Sequence, residues 1–354
     1  MNLLQRLSPD EVRQRLRLRE PVDPTTLAQA AVIVQDVRLR GEAALREHGE
    51  RLGDLKPDEP LWLGPEVLQA ALRELPPDQR GVLERTAAHI RAFALAQRAC
   101  LQDLRVTVPS GLAGHHVLPL ERAGCDAPGG RFPLPSSVLM TAVTARAAGV
   151  KEVYVASPRP SPVTLAAAAI SGADGLLRVG GAQAIAALAY GAGPVPACDA
   201  VVGPGNRYVT AAKQLLAGRV SIDMLAGPSE LLIVADGSAD PALCAADLLA
   251  QAEHDDDAVP MLLTVDPALP SRVEEALHLQ LHDLPTAATA RAALRNGFAV
   301  VASGWEEALA LANLLAPEHL ELLAKDGPAL APRLRHYGAL FLGAGSAEVF
   351  GDYG

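Results

Sequence analysis

Aromatic side chains make up only 3% of this chain, with two Trp, five Tyr and five Phe in 354 residues. So few rings leave little material for base-stacking platforms. Basic residues are outnumbered, 31 Lys and Arg against 41 Asp and Glu. The net charge of −10 argues against a nonspecific nucleic-acid or anionic-membrane binder. It leaves room for an anionic cofactor, because helix N-termini and glycine loops bind phosphate locally. Cysteine is scarce too. Cys100, Cys125, Cys198 and Cys244 form no C-x-x-C pair, which excludes a zinc ribbon or a thioredoxin-type motif. They read as lone buried thiols in a reducing cytosol. No apolar run reaches the ~18 residues of a membrane span. The opening segment, Met1 to Leu7, runs at once into Asp10, Glu11, Arg13 and Arg15. It reads as an amphipathic helix rather than a signal peptide, so a soluble cytoplasmic protein is expected. Also missing are low-complexity tracts, short repeats and any G-x-G-x-x-G fingerprint.

What is present is a hydrophobic fraction of 49% and enough length for two ordinary domains. From Pro9 to about Leu101 the pattern is helical, with Ser8 and Glu11 spaced as a capping box. Near Val117 the texture changes to short apolar runs alternating with alanine-rich helices. Val153–Val155, Leu176–Val179, Ala200–Val202, Leu231–Val234, Met261–Val265, Ala299–Ala302 and Leu340–Leu342 read as strands. Such alternation predicts an α/β fold with open, largely parallel sheets. The run Leu231–Val234 lacks polar alternation, as expected for a strand covered on both faces. Two successive α/β stretches, roughly 116–230 and 231–345, fit a diverged duplication.

Four glycine clusters stand beside strands: Pro128-Gly129-Gly130, Gly180-Gly181, Gly203-Pro204-Gly205-Asn206 and Gly227-Pro228-Ser229. Each alone is ordinary turn chemistry. Several at one sheet edge predict a ligand crevice at the strands' carboxyl ends. Gln251 and His254 are three apart at a helix end, a spacing that places an amide and an imidazole on one face. They could ligate one divalent metal, zinc being the choice for nitrogen and oxygen ligands. A polar helix end explains them equally well. Pro317-Glu318-His319 supplies an adjacent carboxylate and imidazole, two candidate proton carriers. It also reads as a plain helix start, with Pro at the first position and Glu suited to the dipole. His278 and His282 have metal-binding spacing but no third ligand, and read as surface residues.

In this order the clusters resemble the histidinol dehydrogenase family. The carrying stretches are PGGRFPLPSSVLM (128–140), RVGGAQAIAALAYG (178–191), VVGPGNRYVT (201–210), IDMLAGPSELLIVAD (222–236), DLLAQAEHD (247–255), APEHLEL (316–322) and the end of the chain from Gly338 to Tyr353. The resemblance implies oxidation of L-histidinol to L-histidine, the last step of histidine biosynthesis, through a bound histidinaldehyde with two NAD⁺. By motif match, Gln251, His254 and Asp352 are the zinc ligands and also meet the substrate. Ser229 and His319 contact substrate, Glu318 and His319 are the acid–base pair, and Gln183 and Asn206 contact NAD. Asp126 stands where the family has an NAD-contacting tyrosine, so weaker NAD binding is expected. Two Rossmann-like units are implied, one inserted in the other. The expected division is an N-terminal helical arm over 1–20, an outer unit of 21–125 with 231–354, and an inserted unit over 126–230. A homodimer is implied, with neither nucleic acid nor membrane as partner. The chain stops two residues after Asp352, whereas family members continue into an arm that supplies a further zinc-ligating His and a substrate-binding Glu. Zinc is therefore expected to keep at most three protein ligands. The alternative readings are a paralogue acting on another small alcohol and a non-catalytic remnant that binds zinc or nucleotide.

Overall fold

The computed structural model describes residues 3–17, 22–129, 133–225, 227, 229–348 and 350–353, with Asp352 and Tyr353 described by their backbone alone. The chain opens with β1 (Gln5–Leu7) and α1 (Pro9–Arg17). The capping box forms: the Ser8 N–H donates to Glu11 Oε2 at 2.7 Å and the Glu11 N–H to Ser8 Oγ at 3.4 Å. Next come α2 (Pro24–Arg40), α3 (Glu42–Arg51), β2 (Trp62–Leu63), α4 (Pro65–Glu74) and α5 (Pro77–Ala99). A hairpin of β3 (Leu104–Val108) and β4 (Gly111–His115) precedes β5 (Arg122–Asp126), α6 (Pro135–Ala148), β6 (Glu152–Ala156), α7 (Pro162–Ser171) and β7 (Gly175–Leu177). Then follow α8 (Gly181–Tyr190), β8 (Ala200–Val202), α9 (Arg207–Leu216), β9 (Ser221–Ile222), β10 (Glu230–Ala235), α10 (Pro241–Ala252) and β11 (Val259–Thr264). The remainder is α11 (Leu269–Asp283), α12 (Ala287–Leu294), β12 (Phe298–Val301), α13 (Trp305–Leu315), β13 (His319–Leu323) and β14 (Ala339–Leu342).

The chain divides into two compact units, Met1–Glu20 with Pro228–Asp352 and Pro21–Gly227 with Tyr353–Gly354. The first holds a six-stranded parallel sheet in the order β1-β12-β11-β10-β13-β14. One face carries Leu231, Ile233, Ala235 and Leu323 against α10, α11 and α12. The other carries Leu232, Val234, Leu320 and Leu322 against α13 and α1. Both faces being covered is why β10 can be apolar throughout; each such side chain contributes about 1.5–3 kcal/mol on burial. The second unit holds the order β2-β7-β6-β5-β8-β9, with only β2 antiparallel. Leaving aside β1 and β2, each sheet runs third-second-first-fourth-fifth in chain order. That shared order is the Rossmann-like half-sheet expected, and it fits a diverged duplication.

Three expectations differ from the structure. Residues 21–125 do not join the outer unit, because α2 and α3 bury Ala30, Val34, Val37, Ala44 and Leu45 against α8 and α9. On the opposite face α4 and α5 bury Leu68, Leu83 and Ala87 against α6 and α7. These helices are the two covering layers of the second sheet. The opening segment is not helical over Gln5–Leu7, which pairs in parallel with β12, Gln5 opposite Phe298. The open edge of β12 offers backbone groups that three residues cannot satisfy in a helix of their own. Cys100 is exposed, while Cys125, Cys198 and Cys244 are buried. Among the described residues, no helix is long and apolar enough to cross a membrane.

Candidate active site

In the first unit the chemistry gathers at the amino ends of the strands. Ser229 directly precedes β10, and Glu318 directly precedes β13. The two strands are neighbours, with Leu231 opposite His319. The Glu230 N–H donates to Glu318 Oε2 at 3.4 Å, drawing the carboxylate across from one strand entrance to the next. Pro317-Glu318-His319 is therefore no helix start. Ala316 ends α13 in the left-handed region, at φ 47°, and turns the chain straight into β13. Glu318 is exposed and His319 half-buried.

Gln251 and His254 meet the same edge from α10, which runs back antiparallel to β10. They do not share a helix face, because α10 ends at Ala252 and His254 lies in the turn beyond it. Gln251 is fully buried, and neither of its amide atoms has a hydrogen-bond partner among the described residues. A buried amide without a partner costs about 1–3 kcal/mol, so a missing ligand is a physical reading of it. His254 is exposed, and its Nδ1 bonds to the Ala250 carbonyl at 3.0 Å. That bond makes Nδ1 the donor and leaves the Nε2 lone pair outward, the arrangement of a metal-ligating imidazole. An orphaned amide oxygen and a lone pair at the negative end of a helix fit a divalent cation. The side chain of Asp352, the third expected ligand, lies outside the described residues, as do Gly130 and Pro228 of the glycine clusters. Among the described residues no cluster of three or more His, Cys, Asp and Glu forms a metal site by itself.

Sequence reasoning missed three acids beside this site. His319 Nδ1 lies 3.5 Å from Glu348 Oε1. The Glu348 N–H donates to Glu321 Oε1 at 3.1 Å. Glu321 is fully buried. The Asp247 carboxyl on α10 lies beside it. Burial raises both groups, and for Glu321 the neighbouring Asp247 raises it further. A signal was present for Glu321. Once 319–323 is a strand, residues 319 and 321 share a face. Nothing in the sequence joins Glu348 to them.

In the second unit the glycine turns lie at the opposite, carboxyl edge of their sheet. Gly129 follows β5, Gly180 follows β7 and Gly203 follows β8. β5 and β8 are neighbours, which is where the strand order reverses. Gly203 adopts φ +125°, and a Cβ there would lie 2.0 Å from the Asp126 carbonyl oxygen, so no other residue fits this close approach. Asn206 caps α9, its Oδ1 accepting from the N–H groups of Tyr208 at 2.9 Å and Val209 at 3.3 Å. Gln183, 2% exposed in the first turn of α8, donates to Asp54 Oδ2 at 3.3 Å, and the Gly180 N–H donates to the same oxygen at 3.1 Å. Asp126 is 1% exposed and offers no open surface to a dinucleotide. Its Oδ1 has no partner among the described residues, and burial pushes its carboxyl up to about 7 despite the opposing pull of Lys213. Lys213, itself buried, pairs with Asp223 at 2.6 Å and donates to the Gly203 carbonyl. The Gly203 N–H donates to Asp223 at 2.7 Å.

Three clusters thus share the strands' carboxyl ends, as expected, whereas Ser229 of the fourth stands at an amino end, before β10. The difference follows from the dipoles. A carboxyl edge faces helix N-termini and suits a pyrophosphate, whereas an amino edge faces helix C-termini and suits a cation. Thiol chemistry has no place here, since burial pushes Cys125, Cys198 and Cys244 up to about 12.

Comparison with known proteins agrees with this arrangement. The family model described as histidinol dehydrogenase matches residues 18–354. Histidinol dehydrogenase of Thermus thermophilus is 48% identical over 346 residues, covering 97% of this chain and 83% of the relative. That of Ralstonia nicotianae is 44% identical over 353 residues, covering 97% and 80%. The crystal structure of histidinol dehydrogenase from Elizabethkingia anophelis superposes with a TM-score of 0.90 at 29% identity, covering 100% of this chain and 83% of that one. An NAD-dependent aldehyde dehydrogenase from Sinorhizobium meliloti, at TM-score 0.51 and 14% identity over 95% of this chain and 80% of its own, shares the fold alone. With the family match spanning nearly the whole chain and its motifs standing at two coherent sheet edges, the chain belongs to the histidinol dehydrogenase family.

Proposed function

We propose that this chain oxidises L-histidinol to L-histidine, the last step of histidine biosynthesis, through a histidinaldehyde that stays bound. The carrying observation is the family match over residues 18–354, with Glu318 and His319 presented at the amino edge where Gln251 and His254 also end. Oxidising the alcohol needs a base for the hydroxyl proton while hydride leaves the carbinol carbon. His319 supplies it, an imidazole nitrogen with a free lone pair being able to take that proton. Oxidising the aldehyde needs an attacking water, and Glu318, exposed at the strand entrance, accepts its proton. Ser229 contacts the substrate from the start of β10. Gln251, His254 and Asp352 would hold zinc, which supplies a fixed cation that orients the substrate's nitrogen atoms. NAD⁺ is the hydride acceptor in both half-reactions, so two are consumed per histidinol. The glycine turns of the second unit suit its pyrophosphate, with Asn206 and Gln183 at the helix starts beside them and Asp126 beneath. The homodimer and cytoplasmic setting expected from the resemblance belong to the same proposal.

The test is to count NADH formed per histidinol consumed by the 354-residue chain with NAD⁺ and added zinc. The proposal expects two. One NADH per histidinol, with aldehyde released, would restrict the chain to the first half-reaction. No NADH from folded protein would overturn the proposal in favour of a repurposed member of the family.

A further inference from the structure

We infer that Glu348 is a positioning residue for the base His319, holding its imidazole in the tautomer the reaction needs. The inference rests on the function proposed above only for its consequence on rate. The geometry stands by itself. His319 and Glu348 have side chains 20% and 10% exposed, and Nδ1 lies 3.5 Å from Oε1. Nδ1 is buried and makes no formed hydrogen bond among the described residues, so Glu348 is the acceptor placed to take its proton. The ring also lies 6.1 Å, centroid to centroid, from Phe341, with the two planes tilted by 54°.

Glu348 is placed from below. Its backbone N–H is tied to Glu321, two residues from His319 and on the same face of β13. Glu321 is fully enclosed, with the Asp247 carboxyl beside it. Burial raises the Glu321 and Asp247 carboxyls. Through its bond from the Glu348 N–H, Glu321 pins the backbone that carries Glu348. A base and the group that orients it are thus tied to one strand.

The consequence is specific. With Nδ1–H donating to the Glu348 carboxylate, Nε2 keeps its lone pair and takes the substrate's hydroxyl proton. The imidazolium then formed is stabilised by the same carboxylate. A free imidazole prefers the other tautomer, so the carboxylate changes which nitrogen is basic. The 3.5 Å separation is longer than a formed hydrogen bond and tightens as the ring gains charge.

The experiment is ¹⁵N NMR of the full chain labelled at histidine, with the His319 signals assigned by their loss in His319→Gln. At pH 8 the parent should show the proton on Nδ1. Glu348→Ala should move it to Nε2 or mix the two forms, and Glu348→Asp should restore part of the Nδ1–H population. In turnover, Glu348→Ala should lower kcat about 10- to 100-fold with the KM for histidinol changed less than about threefold. The same tautomer in parent and Glu348→Ala would overturn the inference, as would an Nε2–H tautomer in the parent. Should Glu348→Ala fail to fold, the parent spectrum and Glu348→Asp decide it. A parent that shows Nδ1–H but forms no NADH would sink the proposed function and leave the placement of Glu348 standing.

Discussion

Asp126 sits at the end of β5 with its carboxyl enclosed, beside Lys213, Asp223 and Asp54. Burial is the largest influence on it and lifts it from 3.8 to about 7. The folded chain therefore binds a proton between about pH 4 and 7 that the unfolded chain has released. Its contribution to stability is greatest below the unfolded value and falls as pH rises through the folded one. A shift of that size corresponds to as much as about 4 kcal/mol lost by pH 8. Asp126→Asn keeps the shape and cannot ionise. Its melting temperature, relative to the parent, should climb steadily from pH 4 to pH 8. A difference that is flat with pH would mean that Asp126 keeps its ordinary acidity.

Asn206 caps α9 through its oxygen, and the proposed NAD contact would use its amide nitrogen. Asn206→Asp retains the capping acceptor but replaces the donor with a negative charge. It should unfold at nearly the parent's denaturant midpoint while raising the KM for NAD⁺ about tenfold. Asn206→Ala should cost about 1 kcal/mol of stability as well. If the KM for NAD⁺ is unmoved in both variants, Asn206 is a cap and nothing more. Elements of this kind were legible. The apolar run at Leu231–Val234 and the glycine–helix starts after β7 and β8 each have one good local solution. Gln5–Leu7 and Pro317-Glu318-His319 were not legible, because neither short stretch states its own period. A free strand edge at β12 and a left-handed Ala316 decided them.

On the scale of the molecule, the two sheets repeat one strand order and carry their motifs at opposite edges, amino in one and carboxyl in the other. Gln251 and His254, the proposed cation ligands, belong to one unit, and the glycine turns belong to the other. Chelating the metal should therefore abolish NADH formation while changing NAD⁺ affinity, measured by calorimetry, less than about twofold. Loss of NAD⁺ binding on chelation would show that the two ligands are coupled. The division of the chain was only half legible. Alternating strands and helices announced two α/β units, but helices α2 to α5 carry apolar faces that would suit either sheet. Only packing against α6 to α9 assigned them.

The sequence by itself determined the α/β class and the family, and it singled out Glu318, His319, Gln251 and His254 as candidates, since ordered motifs and local patterning need no knowledge of distant neighbours. Tertiary structure alone decided which sheet edge each motif occupies, that Asp126 is enclosed, and that Asp247, Glu321 and Glu348 stand behind His319. These contacts join residues as much as 88 positions apart, as between Glu230 and Glu318. Burial and neighbouring charge set the protonation of such groups, and both exist only once the chain has folded.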